Sequence, residues 1–276
     1  MKVDSRRVPL ELRDGSGAAD LQFAGRRAMR VDPFIALRYE WRIMPRSTEV
    51  FEQDTGHDVQ ALASEIAKRV GSLRSSTTQD LRGVRREFSR RLKGAVPSVV
   101  IELAGRLLNA GRMDFRFIAY ELINKHPSAL ASLKARQLKR LGRGIASWGA
   151  VDCFGVLVAG PVWRERGVPD SLIHGWARSK DRWWRRAALV STVPLNSKSR
   201  GGQGDTRRTV QVCRLLERDR DPMVARALSW ALRELAKRDP RAVREYLVSS
   251  EGLLPALVRR EVNNKLKTGV KNPKKR

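Results

Sequence analysis

Asp152 is the one charged residue between Trp148 and Trp163, in a run that is otherwise apolar or small (WGAVDCFGVLVAGPVW). On a helix it shares a face with Trp148, four residues earlier, and with Gly155, Val156 and Ala159. Aspartate is a poor interior helix residue, and a buried carboxylate is costly unless paired. Two accounts compete. One is a structural ion pair or a local backbone hydrogen bond; the other is a functional role for the carboxylate. Arg186, in RWWRRAALVSTV, stands on the apolar side of its own helix with Trp183, Val190 and Val193. It either snorkels to the rim or meets an anion: Asp152, a phosphate, or each in turn. Trp230 lies off the apolar stripe Val224, Leu228, Ala231, Leu232 and Leu235, beside Arg226, Arg233 and Lys237. An aromatic among cations suits nucleic acid, with bases meeting the ring and phosphates the charges. The bland alternative is a tryptophan packed under a neighbouring loop.

The whole chain supports a polyanionic partner. Its 276 residues carry 56 Lys and Arg against 29 Asp and Glu, a formal charge of +27. Such a surface attracts phosphate backbones. The arginines are spread through many helices rather than gathered in one amphipathic segment, which argues against a membrane surface. Cys153 and Cys213 are too few for a disulfide scaffold and lack metal-site spacing, and His57, His126 and His174 do not cluster. No metal or organic cofactor is expected. No run reaches transmembrane length, and the twin arginine of SRRVPLEL is followed by no apolar segment, so the expected location is cytoplasmic, with the nucleoid when DNA is bound.

The elements that position these residues read as all-α. From about residue 57, apolar residues recur at three- and four-residue spacing: VQALASEIAKRV, LRGVRREFSRRL, PSVVIELAGRLLNA, MDFRFIAYELINKHP (stopped by Pro127), SALASLKARQLKRLG, then the Trp148 helix. PDSLIHGWARS, KDRWWRRAALVSTV, DTRRTVQVCRLLE, DPMVARALSWALRELAK, DPRAVREYLVSS and LLPALVRREVNNKL follow. No segment alternates with period two. Antiparallel helix pairs in units of about 35–45 residues suggest a HEAT-like curved α-solenoid with a concave basic face, a globular bundle being the alternative. Residues 1–50 read as a basic, partly ordered arm, 51–268 as the helical domain and 269–276 as a basic tail. PLNSKSRGGQGDT (194–206) reads as a flexible loop. The steps Asp152 to Arg186 and Arg186 to Trp230 suggest equivalent places in successive helix pairs.

At these residues the sequence resembles the AlkD-like DNA alkylation repair proteins, DNA glycosylases built from HEAT-like repeats. WGAVD (148–152) is similar to the family's Trp-x-x-Val-Asp motif, RWWRRAAL (182–189) to its Trp-x-x-Arg-Ala-Ala helix, and ALSWALRELAKRDPRAVREYL (227–247) to its most recognisable stretch. FRFIAYELINKH (115–126) is similar to an upstream repeat and LVRREVNNKL to the closing helix. The likeness covers roughly residues 80–266. It implies Asp152 as the catalytic carboxylate, Trp148 and Trp230 as aromatic walls around the lesion, and Arg186 as the holder of nearby phosphates, beside Arg226, Arg233 and Lys237. The sequence departs from the family at Gly149, where an acidic residue is frequent, and in the length of 194–206. The function implied is hydrolysis of the N-glycosidic bond of N3- or N7-alkylated purines in duplex DNA, by a chain for which a monomer suffices. The competing classes are a non-catalytic DNA-binding repeat protein and a scaffold for RNA or protein.

Overall fold

The structure, a computed structural model, describes residues 58–273. The expected arm and residues 274–276 of the tail lie outside the described residues. Every regular element among the described residues is a helix, and they fall into two compact units, 58–132 and 133–273.

The first unit holds α1 (Val59–Gly71), α2 (Thr78–Arg91), α3 (Pro97–Asn109), α4 (Met113–Asn124) and α5 (Pro127–Ser132). The caps are legible in the sequence. Asp58 accepts from the Gln60 and Ala61 amides, Thr77 accepts from Asp80, and Pro97 opens α3, where its missing N–H costs nothing. Apolar faces at helical spacing supply the core: Leu62, Ile66 and Val70 from α1, Leu81, Val84 and Phe88 from α2, and Val100, Leu103 and Leu107 from α3. Pro127 does not merely stop α4, as expected, but opens α5. The side chain of His126 completes that start by accepting from the Ala129 amide through Nδ1, while Nε2 meets the Leu92 carbonyl.

The second unit runs from α6 (Ala135–Leu141) through α7 (Trp148–Phe154), a π turn (Gly155–Ala159) and α8 (Gly160–Arg164). It continues with α9 (Asp170–Ala177), α10 (Arg182–Val190), α11 (Val193–Asn196), α12 (Thr206–Leu216), α13 (Pro222–Leu235), α14 (Pro240–Ser249) and α15 (Ala256–Thr268). The segment expected as one helix from Ser128 is thus two, α5 and α6. Asp221 and Asp239 each cap the helix that the following proline opens, so two Asp-Pro pairs mark two helix starts.

Side-chain bonds fix the repeat. Arg186 reaches Asp152 over 34 residues, Arg185 reaches Asp219 over 34, Thr206 reaches Asp239 over 33 and Ser250 reaches Glu217 over 33. A recurring offset of one helix pair is the register of stacked repeats rather than of a bundle. Within this unit α7, α10, α13 and α15 touch in succession, and α9 touches α12 behind them. Asp152 and Arg186 are both the fifth residue of their helices, whereas Trp230 is the ninth of α13. The expected equivalence therefore holds for the ion pair, and Trp230 stands one turn further along.

The stretch 194–206 is not the flexible loop its composition suggested. Asn196 is buried, donates through its side chain to the Thr192 carbonyl and to Thr209, and accepts from the Asp205 amide. Arg238 donates to the carbonyls of Asn196 and Gly202, and Arg164 to that of Arg200. These partners are distant in sequence, so composition could not announce them.

Close packing of α7, the π turn and Gly160 against α10 and the Ser191 that ends it sets where Asp152 falls. A Cβ on Gly155 would lie 2.8 Å from Val190, and one on Gly160 would lie 2.6 Å from the Ser191 carbonyl oxygen. The π turn ends with Gly160 donating to the Gly155 carbonyl, just before Pro161, which has no N–H to give. Gly160→Ala is expected to cost about 1–3 kcal/mol by overpacking this seam. Urea unfolding checks it; a loss of only a few tenths would show that the helix is not pinned there.

Candidate active site

Ser147 starts α7 by accepting from the Ala150 amide, which leaves Trp148 at the first position of the helix, 40 % exposed. One turn on, Asp152 is buried, only 5 % exposed, among Val151, Cys153 and Phe154. Its compensation is Arg186 from α10, equally buried. Nε donates to Oδ1 at 2.9 Å and a terminal nitrogen donates to Oδ2 at 2.8 Å, a two-pronged pairing that matches the planar guanidinium to the planar carboxylate. The other terminal nitrogen donates to the Met223 carbonyl at 2.5 Å, so the same guanidinium links α7, α10 and the start of α13.

The pair answers the question that the sequence leaves open between ion pair and backbone hydrogen bond: it is an ion pair. Burial pushes the Asp152 carboxyl above its ordinary value, while the charge of Arg186 and its hydrogen bonds pull it back. Arg186 spends three of its five N–H groups inside the protein. The anion it meets here is Asp152.

Trp230 is half-buried on α13, seven residues after Met223 and so on the same helix face. Arg226, one turn before it, is exposed. Arg233, one turn after it, donates to Ser229 at 3.2 Å and stands 3.9 Å from Glu261. Lys237 pairs with Glu234 at 2.7 Å, near the end of the same stripe. The four residues thus form one line of cations around an indole, with Arg226 carrying its charge outward.

Three supporting features escape sequence reasoning. The Met223 carbonyl that holds Arg186 is backbone and leaves no side-chain signal. Phe154, Trp176 and Trp184 form an aromatic cluster with ring centroids 5.0–6.0 Å apart, backing α7 and α10. Arg182 lies over the Trp183 ring at 5.2 Å at the head of α10. A recess of about 390 Å³ lined by Lys139, Pro169, Leu172 and Trp176 does not include Asp152. Among the described residues no group of His, Cys, Asp and Glu is placed to hold a metal, and no helix is long and apolar enough to cross a membrane.

An ion pair this buried makes a sharp prediction. Arg186→Ala leaves Asp152 charged and alone, at an expected cost of about 3–5 kcal/mol. Its folded-state pKa, already raised by burial, rises further above the unfolded value. The charged form is then the costly one, so the loss is full at neutral pH and shrinks as pH falls through the folded value. Urea titrations of the variant and the wild type across acid pH check this; a pH-independent loss would mean that Asp152 is not the stranded charge.

No curated protein matches the sequence. A sequence model of the DNA alkylation repair enzyme family matches residues 52–266, which spans every residue of this site, and the chain belongs to that family.

Proposed function

We propose that the protein is a DNA glycosylase that hydrolyses the N-glycosidic bond of cationic N3- or N7-alkylated purines in duplex DNA. The observation that carries this reading is the Asp152 carboxyl group, held at both oxygens by Arg186 one turn from the exposed Trp148. An alkylated purine of this kind bears a positive charge, and its bond to the sugar is weakened. When the bond breaks, both electrons pass to the base and cancel that charge. The deoxyribose is left oxocarbenium-like. Asp152 stabilises this developing cation from a dry site, where a fixed charge acts more strongly than in water. Water then bonds to C1′ and gives its proton to solvent, yielding an abasic site and the free base. A general acid is unnecessary because the leaving group is already cationic, unlike the two-carboxylate case. Trp148 and Trp230 offer their π faces to the cationic base. Arg226 and the remaining N–H groups of Arg186 take phosphates beside it. The chemistry calls on no cofactor, and one chain carries all the named groups.

The test is release of 7-methylguanine or 3-methyladenine from methylated duplex DNA. Wild type is expected to release base, and Asp152→Asn to lose release while keeping DNA binding. Activity requires the carboxylate, so it falls as pH drops through the Asp152 pKa; burial places that acid limb above the ordinary carboxylate range. Equal release by the Asn variant would remove Asp152 from the mechanism.

One observation favours a second reading, a non-catalytic DNA-binding protein of the same fold. The Asp152 side chain is only 7 % exposed and both of its oxygens are held by Arg186, as a purely structural brace would be. The base-release assay separates the two. Salt dependence does not, because both readings bind DNA through phosphates.

A further inference from the structure

A second buried carboxylate lies away from Asp152, and the proposed chemistry does not use it. Glu261 on α15 is 5 % exposed and shares its helix face with Val258 and Val262. Its Oε2 accepts from the fully buried hydroxyl of Ser229 at 2.6 Å. Ser229 in turn accepts from Arg233 Nε at 3.2 Å, and Arg233 Nε stands 3.9 Å from the same Oε2. The other oxygen, Oε1, lies 3.4 Å from Lys271 Nζ.

Lys271 comes from the segment after α15, which turns back on its own helix. Gly269 reverses the chain in the left-handed region, φ 77°, which glycine adopts without steric cost. Asn264 then donates to the Lys271 carbonyl at 3.0 Å. The returning segment is therefore held twice, by its backbone at Asn264 and by its ammonium at Glu261. The side chains of Arg233 and Lys271 remain 17 % and 29 % exposed, whereas that of Glu261 is only 6 % exposed. One inward carboxylate thus gathers two outward cations, and Ser229 is the residue immediately before Trp230. The node carries a net positive charge.

We infer that Glu261 is a positioning residue which sets Arg233 and Lys271 side by side as a two-cation seat for the phosphate backbone of DNA, making the segment after α15 part of the binding face. This rests on the reading of the protein as DNA-binding, though not on base release. Both cations are fixed before DNA arrives, so less side-chain freedom is lost on binding. The carboxylate that orients them is withdrawn from the surface, so its repulsion of phosphate is weakened by the cations lying between.

The test is the affinity for undamaged duplex DNA, measured by fluorescence anisotropy over a range of salt. Lys271→Ala is expected to weaken binding several-fold and to lower the salt slope by about one. Glu261→Gln separates positioning from bulk charge, because removing a negative charge from a DNA-binding face by itself strengthens binding. The inference expects weaker binding instead, with a smaller effect in the Lys271→Ala background. Asn264→Ala keeps every charge and loosens only the returning segment, so it also is expected to weaken binding and guards against a folding defect in Glu261→Gln. Unchanged or tighter binding by Glu261→Gln and Asn264→Ala, while wild type binds normally, would overturn this inference alone. A wild-type protein with no affinity for duplex DNA would overturn it together with the proposed function.

Discussion

The fork between Arg186 and Asp152 is the constraint on which the second unit turns. Two opposite charges meet where water hardly reaches, and neither is tolerable without the other. Each ion loses several kcal/mol of hydration on burial, and their attraction returns a comparable amount only when the geometry is good. A pair of well-packed apolar side chains would hold α7 to α10 at least as well. Stability alone therefore does not require the pair. What the pair provides that an apolar contact cannot is a carboxyl group of fixed orientation in dry surroundings, which the proposed chemistry would set against a developing cation.

The rest of the unit secures that geometry. Short helices in register bring the fifth residue of α7 opposite the fifth residue of α10. The seam at Gly155 and Gly160 lets the helices approach closely enough for the fork to close. The Met223 carbonyl adds a third helix to the same guanidinium. Behind them the Phe154, Trp176 and Trp184 cluster fills the space with stiff rings, which lose little freedom when packed. The ordered chain from Val193 to Asp205 lengthens the step to α13, and its bonds to Arg164 and Arg238 tie it to neighbouring pairs.

Much of this was legible in the sequence because the signals are local. Apolar spacing marked the helices, Asp-Pro marked two of their starts, and a lone acid in WGAVDCFGV marked the buried ion pair of the candidate site. What escaped was long-range. The glycines and serines of 194–206 describe a chain free of local preference, and only Asn196, Arg164 and Arg238, brought near by the fold, make it ordered. Trp230 was placed by residue counting as the equivalent of Asp152, and the added length before α13 shifts it by a turn. The Met223 carbonyl has no sequence signature. Glu261 did have one, since it interrupts the apolar face of Val258 and Val262 just as Asp152 interrupts its own. The rule that a charge on an apolar stripe must have a partner would have found both.

That rule also shows how a chain of such excess charge can separate binding from chemistry. The buried acids Glu121, Asp152 and Glu261 are each held by arginine: Glu121 by Arg82 and Arg85, Asp152 by Arg186, and Glu261 by Arg233 with a lysine added. Arg116, Arg186 and Arg208 are buried as well, so among the described residues acids and arginines are withdrawn in equal number and the surface keeps the positive excess of the sequence. In the proposed function binding rests on many cations, so loss of any one is expected to weaken it modestly. The proposed cleavage of a glycosidic bond rests on a single carboxylate near an exposed indole, and no other buried acid among the described residues has that neighbour. On the proposed reading, affinity for DNA is distributed across the surface, while the capacity to break the bond is concentrated at Asp152. That difference in arrangement, and not the size of the charge, is what distinguishes a repair enzyme from a protein that merely holds DNA.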